Sequence, residues 1–369
     1  MVDGRAGVER LLRVALAVLL AAVPVTLAAC SAGGGRQVAA SGSPSAGASG
    51  GAGAESSRDS GGPGGSDGAA DEPAVTLREA TRALAAFLAA DDVARATGEE
   101  RLALELTRDG QYAVTPGIYR SAGLSPPRYT WGTPTLLVPR LKSFPHWFAA
   151  LVERREAGSR HGGRTAVLVL VRDSEDARWR LGFSSLLDKG REPPTVALDD
   201  EGYATALATR DESIMISPHL MGALHATVAE EGTGGFAAGL IAPGPHTTGH
   251  YTQIAATRES AKERDCMNYD SIFAATTFPV YALRREDGGA LIFYSLNRTT
   301  TWHPVLKCGE GRRLEIPKGA RWLLSDPVIL AERRIVETQQ YVSVVPAKNA
   351  GTPADVIGYD GVITKATAR

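Results

Sequence analysis

The order of helical and strand-like patterns is the feature that most constrains this fold. The folded part opens with "TLREATRALAAFLAADD", whose apolar residues recur at helical spacing, and a second helical pattern follows in "GEERLALELTRDG". Thr76 and Glu79 match a capping box at the start of the first pattern. Consecutive strand-like runs follow: "PTLLVPRL", "HWFAALVERRE", "TAVLVLVRD" and "RWRLGFSSLLD". Because no helix separates these runs, they predict an antiparallel sheet.

The same order occurs again after the proline-rich join "KGREPPTVALDDEG". Helices are predicted in "SPHLMGALHATVAEEG", where Ser217 can cap the helix and Pro218 suits its first turn, and in "TTGHYTQIAATRESAKERD". Strands are predicted in "MNYDSIFAATTF", "VYALRRE", "ALIFYSLNRTT", "PVILAERRIV" and "YVSVVPA", with "EDGG" as a hairpin turn between the second and third. We therefore predict an α+β fold of two similar halves, 73–192 and 193–369, each with helices packed on a curved antiparallel sheet.

This element order resembles a tandem of the cone-shaped, nuclear-transport-factor-like α+β domain. The resemblance covers nearly all of residues 75–369 and rests on the order of the elements, with no diagnostic motif. It implies that one face of a strand in each sheet lines a pocket. The family contains both enzymes and non-catalytic binding domains, so the fold alone does not decide the function.

The N-terminus has the pattern of an export signal. Three arginines precede the apolar segment "VALAVLLAAVPVTLAA", which is shorter than the ~20 residues of a membrane-spanning helix. The segment ends in "LAAC", Leu27 to Cys30, which resembles the bacterial lipobox. That resemblance implies cleavage after residues 1–29 and attachment of lipid chains such as palmitate to Cys30. The alternative is a plain signal peptide with an incidental cysteine.

Residues 30–72 are predicted to be a disordered tether. They are rich in glycine, serine and alanine and contain no aromatic residue, so they cannot bury enough apolar surface to offset the entropy of ordering. With a lipid on Cys30, we expect a lipoprotein anchored at the extracellular face of the cell membrane.

Charge and composition limit the partners. The formal net charge is -1 and the pI is about 6.7, so no overall basic field favours nucleic acid. Arginine outnumbers lysine and alanine and glycine are abundant, a bias typical of a GC-rich, actinobacterial-type genome.

The chain has 3 cysteines, and setting Cys30 aside leaves Cys266 and Cys308. In an oxidising compartment this pair predicts a disulfide bond. The alternatives are two buried thiols or part of a metal site. Neither cysteine has a C-x-x-C partner or a histidine at zinc-finger spacing.

Common catalytic motifs are not found in the folded part of the sequence: H-E-x-x-H, G-x-S-x-G, S-x-x-K and the P-loop pattern do not occur after residue 72. "GTGGFAA" follows a predicted helix rather than a strand, which argues against a dinucleotide site. His246 and His250 would share one face of a helix and could bind a metal, but the neighbouring Gly and Pro favour a loop or helix start. We expect no cofactor or metal.

Two further segments could contribute to a pocket. In "FPHWF", Phe144, His146 and Phe148 lie on one side of a predicted strand, where they would form either a pocket wall or ordinary core. In "NYD", Asp270 could supply an acid within a cavity, or could satisfy a turn before the strand.

The function expected from the sequence is that of a non-catalytic envelope lipoprotein that binds an envelope protein or a small ligand outside the cell. Two alternatives stay open: a solute-binding lipoprotein of an importer, and a cone-fold enzyme. Importer receptors generally alternate strands and helices, whereas strands here come in consecutive runs.

Overall fold

The computed structural model describes residues 73–160, 162–305, 315–325 and 331–368, and these ranges belong to one compact unit. The described residues form 5 α-helices: α1 (Leu77–Thr97), α2 (Glu100–Glu105), α3 (Asp109–Ser121), α4 (Pro218–Glu231) and α5 (Thr248–Arg264). They form 10 strands: β1 (Tyr129–Trp131), β2 (Thr135–Leu137), β3 (His146–Glu156), β4 (Arg164–Arg172), β5 (Arg180–Leu186), β6 (Met267–Ala275), β7 (Tyr281–Arg284), β8 (Ala290–Pro304), β9 (Arg333–Val345) and β10 (Asp355–Ala368).

The strands form two sheets, one in each half of the chain. The first sheet has the order β1-β3-β4-β5, with β2 also paired to β3, and the second has the order β10-β9-β8-β6, with β7 also paired to β8. Every pairing between these strands is antiparallel. The predicted α+β class, with two similar halves, is confirmed.

Each sheet has helices on one face and the other sheet on the opposite face. In the first sheet, Phe148 and Leu168 pack with Leu84 of α1, and the alternate residues face the second sheet. Phe183 of β5 and Phe293 of β8 meet there, with ring centroids 5.6 Å apart. The second sheet turns its other face to α4 and α5. The layers therefore run helix, sheet, sheet, helix.

Burial on both faces explains the unbroken apolar runs of β4 and β8. A strand with one face in water alternates apolar and polar residues, whereas a strand buried on both faces does not. The halves also join through backbone contacts: Leu187 pairs with Gly358, and the Asp188 N–H donates to the Ile357 carbonyl at 2.8 Å. The two halves thus share a core, and their independent folding as domains on either side of residue 193 stays a prediction.

The N-terminal caps that the sequence predicts for α1 and α4 form only in part. The Thr76 hydroxyl accepts a hydrogen bond from the Glu79 N–H at 3.1 Å, as the capping box predicts. The Glu79 carboxylate instead pairs with Arg172 of β4 at 2.7 Å. Ser217 occupies the N-cap position of α4 but does not cap it, because its hydroxyl donates to the Asp211 carbonyl at 2.8 Å.

Three elements differ from the sequence expectation. The helix expected to end near Gly110 is two helices, since α2 stops at Glu105 and α3 begins at Asp109. The described parts of the last two expected strands, from Arg333 onward, belong to one strand, β9, and residues 327–330 lie outside the described ranges. The chain then adds β10, which was not predicted. The expected hairpin between β7 and β8 is confirmed: Arg285 N–H donates to the Gly289 carbonyl at 2.9 Å.

Candidate functional site

A cavity of about 170 Å³ lies on the helix-covered side of the first sheet. Helices α1, α2 and α3 and strands β1, β3, β4 and β5 contribute to its wall, and β9 and β10 of the second half complete it. Its apolar lining includes Phe87, Val114, Ile118, Trp131, Leu168, Leu181 and Val362. Both halves of the chain therefore build this one cavity.

One buried ion pair stands in the wall. Asp91 and Arg95 lie four residues apart on α1, and the Arg95 Nε is 2.7 Å from the Asp91 carboxylate. Their side chains are 14% and 11% exposed, respectively. Arg95 also donates to the Pro127 carbonyl at 3.1 Å. This arginine is held by a carboxylate and a backbone carbonyl.

A second arginine in the wall has looser contacts. Arg154 of β3 is 18% exposed, and its nearest carboxylate is that of Asp360 at 4.0 Å, beyond hydrogen-bond range. The guanidinium groups of Arg154 and Arg95 both lie over the ring of Tyr129, at 4.4 and 4.7 Å from its centroid. Burial raises the pKa of Asp360, and Arg154 opposes that shift. Burial therefore disfavours the charged form of Asp360, whereas the positive charge of Arg154 favours it.

Three residues of the wall each bury a polar atom that has no hydrogen-bond partner. These atoms are Gln111 Oε1, the Tyr119 hydroxyl and Gln340 Nε2. Burial also raises the pKa of Tyr119 to about 12, so its hydroxyl stays neutral. Buried polar groups are almost always paired, and an unpaired one costs about 1–3 kcal/mol. Three such atoms around one cavity make it the candidate site.

Strand alternation explains how β9 and β10 reach this site. Gln340 and Asp360 are direct partners in the β9–β10 register, and both line the cavity. Their neighbours Gln339 and Tyr359 point to the opposite face of the sheet, where they meet the helices of the second half. One pair of strands thus supplies polar side chains to two different environments.

The corresponding face of the second sheet buries a connected set of histidines and tyrosines. The Tyr294 hydroxyl lies 2.8 Å from His225 Nδ1 and 3.0 Å from the Ser343 hydroxyl. The Tyr341 hydroxyl donates to Gln339 Oε1 at 2.6 Å and contacts His250 Nε2 at 3.2 Å. We call this set the histidine–tyrosine network.

The proton positions in this network follow from one backbone carbonyl. His225 Nε2 lies 2.6 Å from the His246 carbonyl, which can only accept, so Nε2 carries the hydrogen. Nδ1 must then accept from the Tyr294 hydroxyl, and Tyr294 accepts from Ser343. Burial lowers the pKa of His225 to about 4, so this imidazole is neutral at pH 7. Each of these polar atoms has its partner within the protein.

The aromatic segment at the start of β3 places Phe148 on the same sheet face as the cavity, but none of its residues lines the cavity. Phe148 is fully buried in the core, as the alternation predicts, and Trp147 faces the other sheet. The rings of Phe144 and His146 stack at 4.0 Å, with Phe144 41% exposed. Burial and the neighbouring Arg172 lower the pKa of His146. A binding role for this segment stays a prediction.

The other candidates from the sequence lie elsewhere. Asp270 is on the outer side of β6, where its carboxylate pairs with Arg258 at 2.8 Å and both side chains are 56% exposed. His246 precedes α5 and contacts Asp188 at 2.8 Å, and His250 lies in the first turn. Among the residues that the structure describes, no group of three His, Cys, Asp or Glu side chains is arranged to hold a metal.

The two predictions made for the three cysteines, lipidation and a disulfide bond, rest partly on residues that lie outside the described ranges. Cys30 is outside them, and so is Cys308. Cys266 directly precedes β6, and its carbonyl accepts from the Val305 N–H at 2.8 Å. Lipidation and the disulfide stay predictions. In the part of the chain described, no helix is both long and apolar enough to cross a bilayer.

The sequence interpretation missed most of the cavity residues. Gln111 and Tyr119 are on α3, which was not predicted; Gln340 is on β9, which was predicted as two strands, and Asp360 is on β10, which was not predicted. A usable signal existed in "ETQQYVSVV", where polar residues run directly into an apolar strand pattern. Polar residues inside an otherwise buried strand are a local conflict, and such conflicts concentrate at functional sites.

Comparison with known proteins places the chain in a family. An uncharacterized lipoprotein of Streptomyces avermitilis is 28% identical over 291 residues, covering 76% of this chain and 81% of the relative. An uncharacterized lipoprotein of Streptomyces coelicolor is 24% identical over 236 residues, covering 60% and 67%. No solved structure matches the chain, so the resemblance to the nuclear-transport-factor-like fold stays a prediction. Residues 71–368 match the family described as "Domain of unknown function (DUF8094)", and the chain belongs to that family.

Proposed function

We propose that this protein is a lipid-anchored lipoprotein of the cell envelope that binds a small polar molecule in the cavity between α1–α3 and the first sheet. The observation that carries the proposal is the set of unpartnered atoms on Gln111, Tyr119 and Gln340 around one space. A ligand with complementary groups would satisfy atoms that the protein leaves unpaired.

The composition of the wall supports a binding role. Aromatic and aliphatic side chains share the wall about equally with polar and charged ones, so the wall suits a ligand that has both an apolar body and polar groups. An engineered cavity of about 150 Å³ holds benzene, so a space of this size admits one ring or a short chain. The expected ligand is therefore small.

The envelope location is supported by two independent observations. The sequence "LAAC" at Cys30 has the lipobox pattern after an apolar segment. The relatives from Streptomyces are named lipoproteins. A long glycine- and serine-rich tether after Cys30 would let the folded part reach ligands away from the membrane surface.

The binding function is tested by thermal shift on the detergent-solubilised mature protein. The panel contains polar molecules of up to about ten non-hydrogen atoms, sized to the cavity. Ser184→Leu adds bulk to the cavity wall, and Ser174→Leu places the same change in an exposed turn. At least one compound should stabilise the wild type and Ser174→Leu but not Ser184→Leu. A panel in which no compound separates the two variants would contradict cavity binding.

The anchor is tested separately by cell fractionation. Cys30→Ala should move the protein from the membrane fraction to the soluble exported fraction and abolish labelling by a radioactive fatty acid. Stable anchoring requires more than one acyl chain, so losing the acceptor thiol removes the attachment. Unchanged membrane association and labelling in the variant would show that Cys30 is not the anchor.

A further inference from the structure

Resting on the proposed function, we infer that the cavity ligand is a small organic carboxylate, with its anionic group held by Arg154. Some hydrogen-bonding groups of the wall are already engaged within the protein, and others are open to a ligand.

The two arginines of the wall differ in their partners. The Arg95 guanidinium is engaged by the Asp91 carboxylate and the Pro127 carbonyl. Arg154 has the ring of Tyr129 beneath it and the Asp360 carboxylate at 4.0 Å, which is too far for a hydrogen bond. Arg154 is 18% exposed, so water satisfies it only in part. Arg154 is therefore the cation of the wall that lacks a close acceptor.

The unpartnered groups contain more donors than acceptors. Arg154 carries five N–H donors, and the unpartnered Gln340 Nε2 carries two. On the accepting side, Gln111 Oε1 is free, and the neutral Tyr119 hydroxyl can serve either way. A ligand rich in acceptors matches this wall best. A carboxylate offers two oxygens in the geometry that a guanidinium binds with two parallel hydrogen bonds.

Asp360 does not remove the need for such a ligand. It is the partner of Gln340 in the strand register and belongs to the same wall, so it faces the bound molecule together with Arg154. Its burial disfavours the ionised form and raises its pKa. Asp360 lies too far from Arg154 to form a hydrogen bond with it, so the guanidinium donors stay open to the ligand.

The remaining wall defines the body of the ligand. Phe87, Tyr129 and Trp131 present aromatic surfaces, which suit a flat ring or a branched apolar group. A hydroxyl or amino group on that body would donate to Gln111 Oε1. The ligand class is therefore a small ring or branched-chain carboxylic acid, with a hydrogen-bond donor as an optional second group.

The experiment uses benzoate, 4-hydroxybenzoate and the neutral benzamide as probes, in titrations followed by ligand-observed NMR. Benzoate and benzamide have the same shape and differ in charge. Arg154→Gln removes the cation from the cavity, and Arg155→Gln removes one from the next position on β3, where the side chain is 59% exposed and pairs with Glu153. We expect benzoate to bind the wild type and Arg155→Gln equally, and Arg154→Gln at least tenfold more weakly. Benzamide should bind the wild type at least tenfold more weakly than benzoate.

Several outcomes would overturn the inference. Equal affinity of the wild type for benzoate and benzamide would exclude selection for a carboxylate, and an equal loss in both arginine variants would exclude Arg154 as its site. If Arg154→Gln melts well below the wild type, Arg154→Lys replaces it, and benzoate affinity should fall because the two parallel hydrogen bonds are lost. Unchanged affinity in Arg154→Lys also overturns the inference.

Failure of this inference can be told from failure of the proposed function. If a neutral compound stabilises the wild type but not Ser184→Leu, while benzoate and 4-hydroxybenzoate do not bind, the cavity binds ligands and the carboxylate assignment is wrong. If no compound of the panel distinguishes Ser184→Leu from Ser174→Leu, the cavity itself is not a ligand site.

Discussion

The two halves repeat one arrangement of helices on a sheet but use the space beneath the helices differently. In the first half this space is a cavity whose wall leaves atoms of Gln111, Tyr119 and Gln340 without partners. In the second half the histidine–tyrosine network occupies part of this space, and its residues His225 and Tyr294 are fully buried and fully bonded.

This difference distinguishes buried polar groups that stabilise the packing of the protein from buried polar groups that are available to bind a ligand. A closed network supports a single packing arrangement, because every donor and acceptor finds its partner inside the protein. Unpartnered groups, such as those around the cavity, can still form hydrogen bonds with a ligand. Within one chain, the histidine–tyrosine network therefore serves as the reference with which the cavity of the first half is compared.

The largest expected effect is a loss of stability that affects the second half more than the first. Reducing the predicted disulfide between Cys266 and Cys308 should lower the free energy of unfolding by about 4 kcal/mol, from the chain entropy of a loop of this length. The Val305 N–H donates to the Cys266 carbonyl, which brings the chain alongside Cys266 three residues before Cys308. Hydrogen exchange with and without reductant should show faster exchange in β6 and β8 than in β3 and β4.

The double variant Cys266→Ser and Cys308→Ser is the matched control for the reductant. It should reproduce the loss of stability and should not respond to reductant at all. Two reactive thiols in the denatured, non-reduced mature protein would show that the bond does not form.

The second effect is a dependence of stability on pH, which tests whether the histidine–tyrosine network is shielded from solvent. Burial lowers the pKa of His225 to about 4, whereas an unfolded histidine titrates near 6.5. Below pH 6.5 the unfolded chain takes up a proton that folded His225 refuses, so stability falls as the pH drops toward 4. This one residue accounts for about 3 kcal/mol of the loss. Burial lowers the pKa of His250 to about 3, so His250 adds to the loss in the same direction.

The pH effect is measured by urea unfolding at pH 7.5 and pH 4.5. His225→Gln should lose less stability than the wild type over this interval, although it is less stable at pH 7.5. His219→Gln is the matched control, because His219 lies on the same helix but is exposed. If His225→Gln and the wild type lose equal stability, His225 is not shielded and the contrast between the halves is weaker than the contacts indicate.

The fold could be predicted to the extent that burial left a clear pattern. Strand β3 begins and ends where the sequence indicates, at His146 and Glu156, because its buried face and its turn signals agree. The sheet-on-sheet packing was not predicted, although the unbroken apolar run of β4 indicates burial on both faces. Helix α3 was missed because Gly110 and Pro116 weaken its helical signal.

The candidate site was harder to predict because it consists of local exceptions. Strand β9 carries polar residues where its pattern should be apolar, and β10 contains Gly358 and Gly361, which have low strand propensity. Tertiary packing, rather than propensity, requires these residues: a Cβ added at Gly358 would approach the Leu186 carbonyl oxygen to 2.9 Å. The polar residues of β9 that line the cavity, and the glycines beside those of β10, therefore weaken the strand pattern in the sequence.

The smallest expected effect compares two buried tyrosines directly. Tyr294→Phe removes a hydroxyl that bridges His225 and Ser343, so it should cost about 1–3 kcal/mol by leaving a buried acceptor unpaired. Tyr119→Phe removes a buried hydroxyl without a partner, so it should leave the stability of the ligand-free protein unchanged or raise it, by at most about 1–3 kcal/mol. Both changes remove one oxygen from a tyrosine that is 1% exposed, which makes them a matched pair in urea unfolding. Equal losses in the two variants would mean that the Tyr119 hydroxyl is already satisfied, and the cavity would then lose one of the three atoms that identify it as a site.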